Sequence, residues 1–149
     1  MREDDLREQL LTAWIGINSM FKDSRMTREL TYNEAVIMKL AYDQYRLDGV
    51  GRVSVQAVRK KTNMLKSLVN RTVNSLCEQG YLTKERGSED ARALFVRLTP
   101  DRLPDFLSVH RGSLKLAETV IGVIGQEDAA QFVRICEKIL NAEVQTGSE

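Results

Sequence analysis

A chain of 149 residues, 42% of them apolar and 29% charged, is long enough to bury one core and short for two. No run approaches the roughly 20 apolar residues of a membrane span, and the opening MREDDLREQL is acidic and polar, unlike a signal peptide, so a cytoplasmic protein is expected. The net charge of +1 excludes nothing by itself, and Cys77 and Cys136 lie far apart at apolar helical positions, which argues against a disulfide framework or a zinc site.

In chain order, Asp5 to Asp23 sets Leu6, Leu10, Ala13, Trp14, Ile17 and Phe21 on one stripe at helical spacing, widened by Leu11 and Ile15. So wide a stripe predicts a helix buried against more than one neighbour. A second helix should open at Thr31, with Glu34 reaching back as a capping box, and run through Val36, Ile37, Leu40 and Ala41 to about Tyr45. Gly49 and Gly51 then mark a loop. Val53 is expected to form a one-residue bridge or very short strand, after which Ser54 caps a short helix carrying Val55 and Val58. Asn63 tolerates the left-handed backbone that a tight inter-helix turn needs, and the next helix runs to Gln79, ended by Gly80. Two short helices joined in this way are the helix-turn-helix arrangement.

Beyond Gly80 the apolar period changes from 3.6 to 2. YLTKER and ALFVRLT flank GSED, and Leu94, Val96 and Leu98 alternate with Ala93, Phe95 and Arg97, which predicts a β-hairpin with a charged tip, a wing. Thr99 and Pro100 signal a further helix start, with Pro104 pushing its regular part towards Phe106. Leu107, Leu114, Ala117, Val120, Ile121 and Ile124 support a long helix, weakened at Gly112 and Gly122. Gly125 is the expected N-cap of a last helix carrying Ala129, Phe132, Val133, Cys136, Ile139 and Leu140, and the tail TGSE is expected to be disordered.

The expected fold class is therefore mainly α with a small β-hairpin wing. One domain over 1–149 holds a winged helix-turn-helix lobe at 32–99, with helical segments at 1–24 and 103–144 flanking it. The flanking helices hold more apolar surface than the winged core can cover, which makes a homodimer the expected assembly.

The stretch MLKSLVNRTVNSLC sorts its residues by side. Leu65, Leu68, Val69, Thr72, Val73, Leu76 and Cys77 share one face at helical spacing, whereas Lys66, Ser67, Asn70, Arg71 and Asn74 fall on the other. Surface helices usually carry Glu and Lys; here the outer face offers the side chains that read base edges and phosphates. Residues 52–99 hold ten Lys/Arg against four acids, a net of +6 that leaves −5 for the flanks. A basic middle between acidic ends is the footprint of a polyanion-binding module.

The string GYLTKERGSEDARALFVRLTPD resembles the wing of the MarR (multiple antibiotic resistance regulator) family. The likeness lies in the Gly-Tyr-Leu entry at Gly80, the Asp-x-Arg pair at Asp90 and Arg92, and the Leu-Thr-Pro exit at Leu98. The order of a long first helix, a winged helix-turn-helix and two closing helices is similar too. The resemblance implies a homodimeric transcription regulator, commonly a repressor, with dimerisation helices at both termini and a pseudo-palindromic operator in double-stranded DNA. It implies Lys66, Ser67, Asn70, Arg71 and Asn74 as groove-facing residues, Arg92 as a minor-groove arginine and Asp90 as the residue that steadies it. Arg86 on the wing joins this set, and Arg52 is a candidate phosphate contact in a linking segment longer than the family's usual one. Relatives often bind small aromatic or phenolic effectors, and by position the candidates are Trp14, Ile17, Asn18, Met38, Tyr42 and His110.

Other chemistries find little support. One histidine cannot be paired by sequence with a nucleophile, no Gly-rich phosphate loop or metal-ligand cluster occurs, and neither an enzyme nor a cofactor is expected. The hydroperoxide-sensing branch of the resembling family uses a cysteine in its first helix, where this chain has none. The rival from another class is a winged-helix adaptor that binds a partner protein, against which the +6 middle segment weighs.

Overall fold

In the computed structural model, which describes residues 2–23 and 29–142 apart from the side chains of Lys22 and Asp23, the sequence-level caps decide where the chain turns. The helices are α1 (Glu3–Asp23), α2 (Tyr32–Asp48), α3 (Val55–Thr62), α4 (Lys66–Glu78), α5 (Leu103–Ile124) and α6 (Gln126–Asn141). The strands are β1 (Arg52–Ser54), β2 (Leu82–Arg86) and β3 (Leu94–Leu98). The tail TGSE lies outside the described residues. Two compact units divide the chain, Met1–His110 and Arg111–Glu149.

α2 opens with the expected capping box: the Glu34 N–H donates to Thr31 Oγ1 at 3.2 Å and the Thr31 N–H to Glu34 Oε1 at 2.8 Å. It runs past Tyr45 to Asp48, where Gly49 at φ 75° caps it and donates its N–H to the Tyr45 carbonyl at 2.7 Å. Arg46 to Asp48, where the helix was expected to have ended, are thus still helical, and the loop marked by Gly49 and Gly51 is a tight turn. Asp48 Oδ1 accepts the N–H groups of Val50 and Gly51 at 2.8 and 3.0 Å. Gly51 has φ 74°, and a Cβ there would sit 2.9 Å from both the Ala41 carbonyl oxygen and Leu98 Cδ1. Only glycine lets the turn press this closely against α2 and β3.

Of the bridge or very short strand expected at Val53, the short strand forms, because Arg52, Val53 and Ser54 pair antiparallel with Arg97, Val96 and Phe95. β2 takes the other edge of β3, giving the order β1-β3-β2. Ser54 Oγ accepts the Ala57 N–H at 3.0 Å and so caps α3. Asn63 is left-handed at φ 56°, and Gly80 at φ 83° follows α4. α5 begins at Leu103, earlier than Pro104 suggests, because a proline in the first turn lacks an N–H that would be unsatisfied anyway.

The core of the winged lobe is continuous. Ile37, Met38 and Ala41 of α2 meet Val55 and Val58 of α3, Val69, Val73 and Leu76 of α4, Tyr81, Leu82, Val96 and Leu98 of the sheet region, and Phe106 of α5. Leu65 breaks the pattern: expected on the buried stripe, it is 75% exposed. It occupies the N-cap of α4, where the backbone is still extended and the side chain leaves the packed face. The burial expected for α1 is likewise not found within one chain, since Leu6, Leu10, Leu11, Trp14, Ile15 and Met20 are exposed. On α6, Phe132, Val133, Ile135, Ile139 and Leu140 are exposed as well.

One carboxylate lies inside this apolar lobe. Glu34 Oε2 accepts from Ser75 Oγ at 2.8 Å and Gln79 Nε2 at 2.6 Å, so the start of α2 is tied to the last turn of α4. Burial alone would raise the Glu34 carboxyl, but hydrogen bonds from Thr31, Ser75 and Gln79 outweigh it and hold the group below its ordinary value. The Glu34→Ala variant should lose about 2–3 kcal/mol of stability at neutral pH, through the lost cap and the stranded Ser75 and Gln79 groups, as read by urea unfolding. A lowered folded pKa means that this stabilisation is complete above the ordinary carboxyl range and is lost as the pH falls through the folded value. The gap between wild type and variant should therefore narrow in acid.

Candidate nucleic-acid interface

α4 presents its two faces as its side-chain periodicity requires. Val69, Thr72, Val73 and Leu76 are buried, while Lys66, Ser67, Asn70, Arg71 and Asn74 are all exposed. The Thr72 hydroxyl, on the buried side, donates to the Leu68 carbonyl at 2.7 Å and so carries no unmet polar group into the core. No acid stands in the first turn of α4. Just upstream, the last turn of α3 exposes Arg59, Lys60 and Lys61. These bases were not singled out from the sequence as site residues, although the run RKK before the turn was the available signal.

The wing adds a second exposed cationic element. Arg86 closes β2, and at the tip the Gly87 N–H donates to the Ala93 carbonyl at 2.9 Å while the Ala93 N–H donates to the Asp90 carbonyl at 3.0 Å. Asp90 Oδ1 accepts the Arg92 backbone N–H at 2.9 Å. Asp90 thus steadies Arg92 through the backbone, and the Arg92 side chain stays exposed. Lys84 Nζ of β2 hydrogen-bonds Asn74 Oδ1 of α4, which joins the wing to the outer face of that helix.

Comparison with known proteins supplies the frame for this geometry. Residues 45–93 match the model of the MarR family. Over those residues, about a third of the chain, the winged lobe is similar to that family. No curated protein matches the chain. Among solved structures, the transcriptional regulator BldR from Sulfolobus solfataricus is similar at 18% identity and TM-score 0.78, over 95% of this chain and 99% of that one. BpsR of Bordetella bronchiseptica, whose DNA binding is regulated by 6-hydroxynicotinic acid, is similar at 19% identity and TM-score 0.70, over 91% and 98% of the two chains. A mutant of MarR from E. coli complexed with operator DNA is similar at 14% identity and TM-score 0.68, over 87% and 93%. At these identities the likeness is one of fold.

Within this winged lobe, Arg52 opens β1. The strand register sets Arg52 directly opposite Arg97, a like-charge pair that is unfavourable by itself. Glu85 resolves it: its Oε2 lies 2.9 Å from Arg52 Nε and its Oε1 lies 2.8 Å from Arg97 Nε. The Arg52 guanidinium also stacks 3.7 Å from the centre of the Phe95 ring. Arg52, expected as a phosphate contact, is thus also a brace across the sheet that shares a single carboxylate with Arg97.

A shallow groove of about 470 Å³ runs between α4 and β2, lined by Asn74, Cys77, Glu78, Leu82, Thr83 and Lys84. Burial pushes the Cys77 thiol up, with Lys84 opposing, so the group is held towards the neutral thiol.

The residues proposed by position for an effector do not form one cluster. Met38 is fully buried in the core. Trp14, Ile17 and Asn18 lie exposed on α1. Tyr42 and His110 do meet, with ring centres 5.1 Å apart, and Phe106 joins them at 5.4 Å from Tyr42 and 5.6 Å from His110. Tyr45 stacks on Tyr42 at 6.3 Å. Spacing alone does not mark Phe106 and Tyr45 as members, since their meeting depends on how α5 packs against α2.

Burial holds His110 below its ordinary value, Lys39 and Arg46 push in the same direction, and Asp43 opposes them. A histidine kept neutral in the folded state stabilises fully above its unfolded pKa of about 6.5, and that contribution is lost as the pH falls through the lower folded value. The urea midpoint should therefore drop between pH 7.5 and pH 5.5, and the drop should be smaller in the His110→Gln variant.

Proposed function

We propose that the chain is a sequence-specific double-stranded DNA-binding transcriptional regulator, a homodimeric repressor at a pseudo-palindromic operator, modulated by a small aromatic or phenolic effector. The observation that carries this reading is the outer face of α4, where Lys66, Ser67, Asn70, Arg71 and Asn74 are exposed together opposite a buried apolar face. In a helix-turn-helix that face enters the major groove. Operator DNA bound to a fold-similar MarR supports the reading, and so does 6-hydroxynicotinic acid, an aromatic compound, as the regulator of BpsR.

Roles follow from chemistry. Asn70 suits adenine and Arg71 suits guanine by bidentate hydrogen bonding. Asn74 is already bonded to Lys84 and is the less available reader. Lys66, Arg59, Lys60 and Lys61 supply phosphate neutralisation along α3 and α4, and Arg86 and Arg92 extend it along the wing, where a narrow minor groove would attract Arg92. The aromatic set Tyr42, Phe106 and His110 is the effector site this reading favours. A second copy would cover the exposed apolar residues of α1 and α6 and present two reading heads about one helical turn apart.

Gel shifts with the DNA upstream of the chain's own coding region, at two salt concentrations, test the reading; log K should fall with log salt by about 0.9 per phosphate contacted. Equal, weak binding to scrambled duplex would defeat the claim of sequence specificity. Arg71→Ala should cost about 1–3 kcal/mol on the bound sequence and far less on scrambled duplex. For the assembly, sedimentation should give twice the chain mass, and Val133→Asp should return it to a monomer of unchanged helix content.

A further inference from the structure

Leu65 is at odds with its position. It is the N-cap of α4, a place where Ser, Thr, Asp or Asn would satisfy a free N–H of the first turn, and its side chain makes no such bond. It is also 75% exposed, so the lobe gains little burial from it. Folding alone favours another residue here on both counts, and a local rule broken without a structural return marks a place shaped by something outside the chain. The surroundings say what that partner is. Leu65 directly precedes the exposed Lys66 and Ser67 and follows the exposed Arg59, Lys60 and Lys61, so an exposed apolar side chain stands among the exposed bases at the corner between α3 and α4. Among polyanions, duplex DNA offers an apolar group of matching size at the floor of the major groove, the C5-methyl of thymine.

We propose that Leu65 is a base-reading residue that packs against a thymine methyl at the edge of each half-site. The proposal rests on the DNA-binding reading above and adds to it a source of specificity that hydrogen-bonding residues cannot provide. A leucine cannot pair with cytosine N4 or guanine O6 and leaves them unsatisfied, whereas the methyl of thymine is shielded from water by the contact. Leu65 therefore selects for thymine by what it excludes as well as by what it covers.

The test begins with duplexes selected by the wild-type protein from a randomised pool. Each thymine in the selected site is then replaced, one at a time, by deoxyuridine, which removes only the methyl. One position per half-site should lose about fourfold in affinity, the equivalent of one buried methyl-sized group at about 0.8 kcal/mol. The Leu65→Ser variant, which gains a capping hydroxyl, should melt no lower than wild type and bind the thymine and deoxyuridine duplexes equally at that position. Its dependence on every other base should be unchanged. A deoxyuridine effect that persists in Leu65→Ser, or no deoxyuridine effect at any position in wild type, would overturn the assignment. Failure to select any sequence from the pool would instead defeat the DNA-binding reading itself.

Discussion

The winged lobe depends on one buried carboxylate. Glu34 closes the capping box at the start of α2 with one oxygen and grips Ser75 and Gln79 near the end of α4 with the other. Apolar packing between these helices fixes their separation but is tolerant of small rotations, since hydrophobic contact is non-directional. Hydrogen bonds to a single carboxylate are directional and shared, so the rotation of α4 about its axis is set where burial alone would leave it loose. That rotation decides which side chains face outward. The apolar spacing puts Asn70 and Arg71 on the outer face, and a glutamate on another helix pins the angle at which that face is held.

The cationic surface is narrower than the composition suggests. Ten bases lie between 52 and 99, but Arg52 and Arg97 share Glu85 across the sheet, and Lys84 is engaged with Asn74. Among the described residues, the bases for which no acid partner is seen are arranged in two places, the Arg59 to Lys66 corner with Arg71, and the Lys84 to Arg92 wing. Glu85 thereby does two things: it relieves the repulsion that strand pairing forces on Arg52 and Arg97, and it concentrates the remaining positive field at the two elements that project.

Much of this was legible in the sequence because its signals are local. Thr31 with Glu34, Ser54, Asn63, Gly80 and Gly125 each act within a turn or so of their own position, and each marks its element end as read. The two faces of α4 follow from spacing alone. What could not be read depends on contacts between distant residues. The pairing of Arg52 with Glu85 spans 33 positions and exists only because β1 and β2 share β3 as a neighbour. α2 runs past Tyr45 to Asp48 because the polar Arg46 and Asp48 carry no apolar period to mark the last turn, which only the Gly49 C-cap closes. Periodicity puts Leu65 on the buried stripe because it extends one position too far, into a residue that is not yet helical.

α2 is the element common to both ends of the lobe's chemistry. Tyr42, in contact with Phe106 and His110, lies eight residues beyond Glu34 on the same helix, about 12 Å along its axis. One helix therefore carries both the aromatic contacts and the carboxylate that Ser75 and Gln79 hold. Binding at the aromatic cluster alters DNA affinity only if the ligand prefers one position of α2 over another, because equal affinity for both positions shifts nothing. The turn that follows α2 ties the helix to the sheet as well, since Gly51 packs against the Ala41 carbonyl oxygen of α2 and the Leu98 side chain of β3 without room for a methyl group, so any position of α2 that a ligand favours has to keep this contact.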